Sequence, residues 1–307
     1  MIPIRQKTPE QVERRAHFLR AKVAKAQKEL DRLSPASLTL KAGGPEPFNI
    51  LIGCPAYGGA VQHVFVASLI ALSQTLVNFG IIHQIKFLGN QSIIGLARDH
   101  FANALFDGDA QGKAFTHLLF LDVDQGFGVA DIFTMIRANK EIIALPASTK
   151  KIQCEQVHAA ARRGVPAEQL QHFTARPNFE DLPGASYSTS ELAQVDRIGT
   201  ALCLIRKSVF EKLAAAHPDW EARRFSNEKQ TDKPYFHFFQ VGIDAETRLM
   251  LAEGLFFCKE ARKLGIEIWI VPSAVTAHVG TYSYVMNMGA IASLGDAPSM
   301  QLAKEAS

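Results

Sequence analysis

Short apolar runs alternate with helix-period segments along most of the chain. "FNILIGC" (48–54), "IIHQIKF" (81–87), "HLLFL" (117–121) and "EIIALPA" (141–147) read as strands, with helices between them over 60–79, 92–106 and 130–139. Farther on, "IGTALCLIR" (198–206) and "IEIWIVP" (266–272) read as strands, and residues 207–216 and 248–264 as helices. This alternation predicts an α/β fold with a mainly parallel, Rossmann-like sheet flanked by helices. Residues 150–195 are polar and lack a period, which predicts a flap or substrate-covering loop.

The two ends of the chain follow other patterns. Val12, Ala16, Leu19, Val23, Ala26, Leu30 and Leu33 recur at alternating spacings of four and three, which predicts an N-terminal amphipathic helix with a heptad seam. Thr8-Pro9 supplies its cap and first turn. That seam has three readings: packing on its own domain, pairing with another subunit in a homo-oligomer, or a basic outer face touching a polyanion. "KAGGPEP" (41–47) is linker-like. The expected division is therefore 1–40 for the helix, 41–290 for one α/β domain, and 291–307 for a C-terminal tail.

Charge and composition narrow the picture slightly. The chain has 307 residues and a net charge of +3, and residues 8–33, with seven Lys/Arg against four Asp/Glu, account for that excess. The rest is near neutral, so no partner class follows from overall charge. The tract His63–Ile82 is long enough to consider as a membrane span. Ser68, Ser73, Gln74 and Asn78 interrupt it, and a buried helix is expected instead. "MIPIRQK" has no apolar core, so no secretory leader is expected. Cys54, Cys154, Cys203 and Cys258 are scattered with no CxxC pair, which reads as buried or half-buried thiols in a reducing compartment, the cytoplasm.

The candidate chemistry sits where strands end. "THLLFLDVDQGFG" (116–128) closes a core strand with Asp122 and Asp124. Residues i and i+2 of an extended segment face one side with Cα atoms roughly 7 Å apart. Two such carboxylates repel unless a cation lies between them, and a hard divalent ion would also take phosphate oxygens. The plain alternative is a solvated turn capping the next helix. In "CPAYGG" (54–59) Tyr57 suits stacking on a nucleobase, and Gly58 and Gly59 suit close backbone approach; an ordinary strand–helix turn is the alternative. Arg98, early in a helix, would bind phosphate or a base edge, or form a surface ion pair. His278, in a Gly- and Tyr-rich loop beyond the last strand, is either structural or the third ligand of a metal site with Asp122 and Asp124.

Taken in order, "CPAYGG", "GLARDHFANALF", "THLLFLDVDQGF", "IGTALCLIRKSVFEKL" and "LAEGLFFCKEARKLGIEIWIVPSAVTAHVGTYSY" resemble the GT-A fold nucleotide-sugar glycosyltransferases, over roughly residues 48–285. The likeness is to the family-2-like group of bacteria and bacteriophages, whose segment after the metal strand is similar to residues 149–170. The resemblance implies an Asp-x-Asp motif at Asp122 and Asp124 that holds Mn2+ or Mg2+ and, through it, the diphosphate of a nucleoside-diphosphate sugar. It implies His278 as the late histidine joining the metal. Pro55 and Tyr57 match the nucleoside turn, with Gly58 and Arg98 beside it, and Gly199 and Thr200 match the small-residue turn lining the sugar pocket.

One position departs from that pattern. The family has an adjacent Glu-Asp pair where this chain reads Glu253-Gly254, so the catalytic base falls to Glu253, or to Asp244 or Glu246 just upstream. The acceptor is a hydroxyl on a glycan, a small molecule or a modified DNA base. For DNA, "RRFSNEKQTDKPYFHFFQ" (223–240) mixes basic and aromatic residues; a polar loop leading into a buried aromatic strand is the plainer reading. Two rivals stand beside the transferase. A nucleotidyltransferase would need Lys or Arg in "CPAYGGAVQH", where none is present, and a non-catalytic nucleotide-sugar-binding subunit would account for Gly254.

Overall fold

The computed structural model describes residues 48–222 and 234–281. The heptad helix at 8–33, the linker, the basic part of the 223–240 loop and the tail at 291–307 lie outside the described residues. In chain order the main elements are β1 (Asn49–Pro55), α1 (His63–Asn78), β2 (Ile82–Leu88), α2 (Ile94–Ala104), β3 (His117–Leu121), α3 (Val129–Ala138) and β4 (Ile142–Ala144). Then follow α4 (Cys154–Arg162), β5 (Ala193–Val195), β6 (Leu202–Arg206), α5 (Lys207–Ala216), α6 (Glu253–Lys263) and β7 (Ile268–Ile270).

Seven strands form one sheet in the order β2-β1-β3-β6-β4-β7-β5. β1 pairs in parallel with β2 and β3, and β4 in parallel with β7. β6 runs antiparallel between β3 and β4, and β5 runs antiparallel along β7. Five of the seven strands therefore share one direction, and the fold is α/β with a mostly parallel sheet flanked by helices. The central strands are apolar at consecutive positions because both faces are covered. Leu118 and Phe120 point into a core with Phe101, Phe210 and Phe257, while Leu119 and Leu121 point into a second core with Phe65, Leu72 and Phe133. α2, α5 and α6 cover the first face, and α1 and α3 the second.

α1 ends at Asn78, and Gly80, at φ +66°, turns the chain into β2. The tract at 63–82 is thus a helix, a turn and the start of a strand. Among the described residues no helix is long and apolar enough to cross a membrane. α2 lies close against the loop that follows the 223–233 segment: a Cβ on Gly95 would run into the Phe239 carbonyl oxygen.

Several expectations shift. Residues 150–195 contain α4, a 3-10 turn at Ala167–Phe173 and the edge strand β5, rather than an irregular flap. α4 buries Ala160 alone, so it has no apolar stripe to announce it. The run 198–206 divides into a short Arg197–Ile198 bridge and β6, with Gly199-Thr200 as the turn between them. The helix expected from 248 begins at Glu253, because Met250–Leu251 pairs instead with Gly242–Ile243. Cys154 is exposed, whereas the other three thiols are buried.

Candidate active site

The carboxyl ends of β1 and β3 meet at one rim, where ligands bind in open α/β sheets. The turn after β1 is tied to the end of β2: Ala56 N–H donates to the Leu88 carbonyl at 2.8 Å, and Asn90 N–H to the Tyr57 carbonyl at 2.9 Å. Tyr57 remains 64% exposed, so its ring is free to stack. Pro55, Tyr57, Gly58, Asp122, Asp124, Lys150 and Gly280 line a cleft of about 710 Å³.

Beyond β3 the chain turns sharply, with Gln125 N–H donating to the Asp122 carbonyl at 3.0 Å. Gln125–Gly126 then pairs antiparallel with Ala277–His278, and Val279 N–H donates to the Asp124 carbonyl at 2.9 Å. This ribbon carries His278 to Asp124 from the far end of the domain. Its Nε2 stands 3.4 Å from Asp124 Oδ2, and its Nδ1 is 2.5 Å from the Ser148 carbonyl oxygen. The carbonyl accepts a hydrogen bond from Nδ1–H, which leaves Nε2 turned toward Asp124. Lys150 Nζ approaches the same Asp124 Oδ2 at 2.5 Å. Partial burial alone would raise the Asp124 pKa, but His278 and Lys150 outweigh it and hold the carboxyl at about 2. Burial opposes the charge on His278, yet Asp124 and the Ser148 carbonyl raise its pKa.

Asp122 faces elsewhere. Arg98 grips it with two bonds, Nη1 to Oδ1 at 3.2 Å and Nη2 to Oδ2 at 3.1 Å. The same guanidinium reaches Glu253 through Nε at 3.5 Å and lies over the Phe120 ring at 5.0 Å. Arg98 is 3% exposed, so the ion pair that stood as the alternative to a phosphate or base contact is formed, but buried rather than at the surface. Burial works against its charge, but Asp122 and Glu253 more than offset that and raise its pKa. Burial, with Asp124 and Glu253 nearby, pushes the Asp122 carboxyl upward in spite of Arg98.

A divalent ion can be tested against these positions. Two ligands about 2.1 Å from one ion, at angles between octahedral and tetrahedral, stand about 3.0–3.4 Å apart. The 3.4 Å between Asp124 Oδ2 and His278 Nε2 fits that spacing. Asp122 does not join them, and among the described residues no set of three His, Cys, Asp or Glu side chains converges to hold a metal. Asp124 and His278 are thus the pair at this rim whose spacing would admit an ion.

The other expected residues divide. Glu253 opens α6 and joins Asp122 through Arg98. Thr200 is buried, its carbonyl 3.4 Å from Arg98 Nη1, and the Gly199-Thr200 turn packs under the head of α6. A Cβ on Gly254 would stand 3.2 Å from Thr200 Oγ1, which gives the absent acid of the Glu-Asp pattern a packing counterpart. Asp244 is not brought in. It accepts from the Glu246 and Thr247 N–H groups at 2.9 and 3.0 Å and pairs with Lys259 at 2.7 Å, so it closes a turn, and Lys259 with those bonds lowers its pKa. Lys150 was not anticipated. The signal for it was positional, since "ASTKK" follows β4 at the same rim of the sheet.

No protein-family model and no curated protein matches the chain. Solved structures that match include A197 from STIV, 13% identical over 76% of this chain and 87% of that one, with a TM-score of 0.41. They also include GalNAc-T7 with UDP, GalNAc and Mn2+, at 9% identity over 76% of this chain and 44% of that one, with a TM-score of 0.39.

Proposed function

We propose that the chain is a GT-A type glycosyltransferase that moves a sugar from a nucleoside-diphosphate sugar to a hydroxyl acceptor. The observation that carries this reading is the ligand-spaced pair Asp124 and His278, 3.4 Å apart beside a cleft that Tyr57 also lines. In this reading Tyr57 stacks on the nucleobase and Gly58 lets the backbone approach the nucleoside. Asp124 and His278 would hold Mn2+ or Mg2+, which stabilises the charge gathering on the leaving diphosphate.

Arg98 holds Asp122 in place at the floor of the site, with Phe120 beneath the guanidinium. The anomeric carbon becomes cation-like as the diphosphate departs, so the carboxylates at the rim favour that state. The acceptor proton needs a carboxylate within reach. The reading assigns it to Glu253, which joins Asp122 through Arg98, whereas Asp244 is committed to its turn and to Lys259. The engagement of Glu253 by Arg98 also favours a second reading, a subunit that binds the donor without transferring it.

A thermal-shift screen of nucleoside diphosphates with and without Mn2+ tests the site. A ligand at a hundred times its Kd stabilises by about 2.7 kcal/mol. One nucleotide should raise the melting temperature only with Mn2+, and Asp124→Ala should abolish that rise relative to its own ligand-free melting temperature. A metal-independent rise that survives Asp124→Ala refutes the assignment. Release of free sugar from the matching donor separates the transferase from the binding subunit.

A further inference from the structure

We infer that Lys150 is a tethered cation of this site: it neutralises Asp124 until a divalent ion takes its place, and then turns to the donor's diphosphate. The inference rests on the proposed donor site and adds a residue to it.

The same oxygen carries both relations. Asp124 Oδ2 is 2.5 Å from Lys150 Nζ and 3.4 Å from His278 Nε2. An ion ligated by that oxygen and that nitrogen would meet the ammonium at close range, and like charges exclude each other there. Lys150 therefore competes with the ion for Asp124.

The surroundings aim this side chain. Ser148 holds His278 Nδ1 and bridges to Pro177, and Thr149 N–H donates to the Arg176 carbonyl at 3.0 Å, so the backbone leading to Lys150 is fixed. Its stem lies across Gly280, where a Cβ would come within 2.9 Å of Lys150 Cδ and 3.3 Å of Cγ. The absence of a side chain at 280 leaves the track along which the ammonium reaches Asp124. The side chain itself is 45% exposed and free to swing on that fixed base.

Its destination follows from the cleft. Among the described residues that line it, Lys150 is the one Lys or Arg. Arg98 is committed to Asp122 and Glu253. The donor's diphosphate, esterified at both ends, carries two negative charges that one divalent ion balances; a third develops as the sugar leaves, and Lys150 is the side chain placed to meet it. Lys150 also lines a second cleft of about 800 Å³, shared at His278's side, so the swing keeps it on the wall between the two.

Lys150→Met keeps the stem and deletes the charge; Lys150→Arg keeps the charge. Mn2+ binding is read directly from the electron paramagnetic resonance of the free ion, without nucleotide or turnover. Lys150→Met should bind Mn2+ at least tenfold more tightly than the parent, and Lys150→Arg within about twofold of it. With Mn2+ saturating, Lys150→Met should bind inorganic pyrophosphate at least tenfold more weakly. Equal Mn2+ affinity in parent and Lys150→Met, with His278→Ala abolishing binding in both, overturns the inference and leaves the donor site standing. Unchanged pyrophosphate binding overturns the second half of the swing. Mn2+ binding indifferent to His278→Ala in both backgrounds overturns the metal site, and the inference with it.

Discussion

Arg98→Met removes a buried cation from between two carboxylates. Asp122 keeps 23% of its side-chain surface exposed and Glu253 17%, while Arg98 itself is nearly sealed at 4%. Breaking a buried ion pair by deleting one partner costs about 3–5 kcal/mol. Both carboxylates retain a path to water, which places this case at the lower end, about 3 kcal/mol at pH 7.5. Methionine fills much of the volume against Phe120, so most of that loss is electrostatic. The loss must then depend on pH. Without Arg98, burial and the neighbouring carboxylates raise the Asp122 pKa further above its unfolded value. A carboxyl raised in the folded state destabilises above that pKa and ceases to do so as pH falls through it. Urea unfolding at pH 7.5 and pH 5 should show the deficit shrinking at the lower pH, and Asp122→Asn in the same chain should recover part of it at pH 7.5. A deficit under about 1 kcal/mol, or one equal at both pH values, would refute the electrostatic account.

Two other perturbations follow from single contacts. His117 opens β3, is 6% exposed, stacks on Phe48 with centroids 4.6 Å apart, and has its pKa lowered to about 4 by burial and then by Arg206. A histidine depressed in the folded state loses stability as pH falls from its unfolded value near 6.5 to that folded value, here about 3 kcal/mol. His117→Phe should flatten the acid limb of the stability curve by about that amount between pH 7 and 4; an unchanged limb contradicts it. Gly280→Ala would crowd the flexible end of Lys150 rather than backbone. It should leave stability within about 0.5 kcal/mol and raise Mn2+ affinity in the direction of Lys150→Met, and an unchanged affinity would show that the stem does not need that track.

The sheet was legible where burial is two-sided. β1 and β3 are apolar at consecutive positions because Leu118 and Phe120 serve one core and Leu119 and Leu121 the other, and no half-buried strand would read that way. β5 was not legible, since three residues at a sheet edge leave no period to detect. The rim of the site was legible from strand ends alone. Asp124 follows β3, His278 follows β7, and an open α/β sheet gathers such positions at one edge.

What pattern could not give was which partner each charge would take. Arg98 reads as a phosphate or base-edge ligand or as half of a surface ion pair, yet it is buried and holds Asp122. That choice commits the Asp122 carboxylate to Arg98, a pairing that the Asp-x-Asp spacing does not encode. Lys150 shows the same logic across a longer gap. Its contact with Asp124 depends on Ser148 binding His278 and on a bare backbone at Gly280, positions 24 and 156 residues downstream of Asp124 in the sequence. A charge at a strand end can be read one residue at a time, but a charge that substitutes for a ligand is specified by three segments together, and it becomes visible once they are folded against one another.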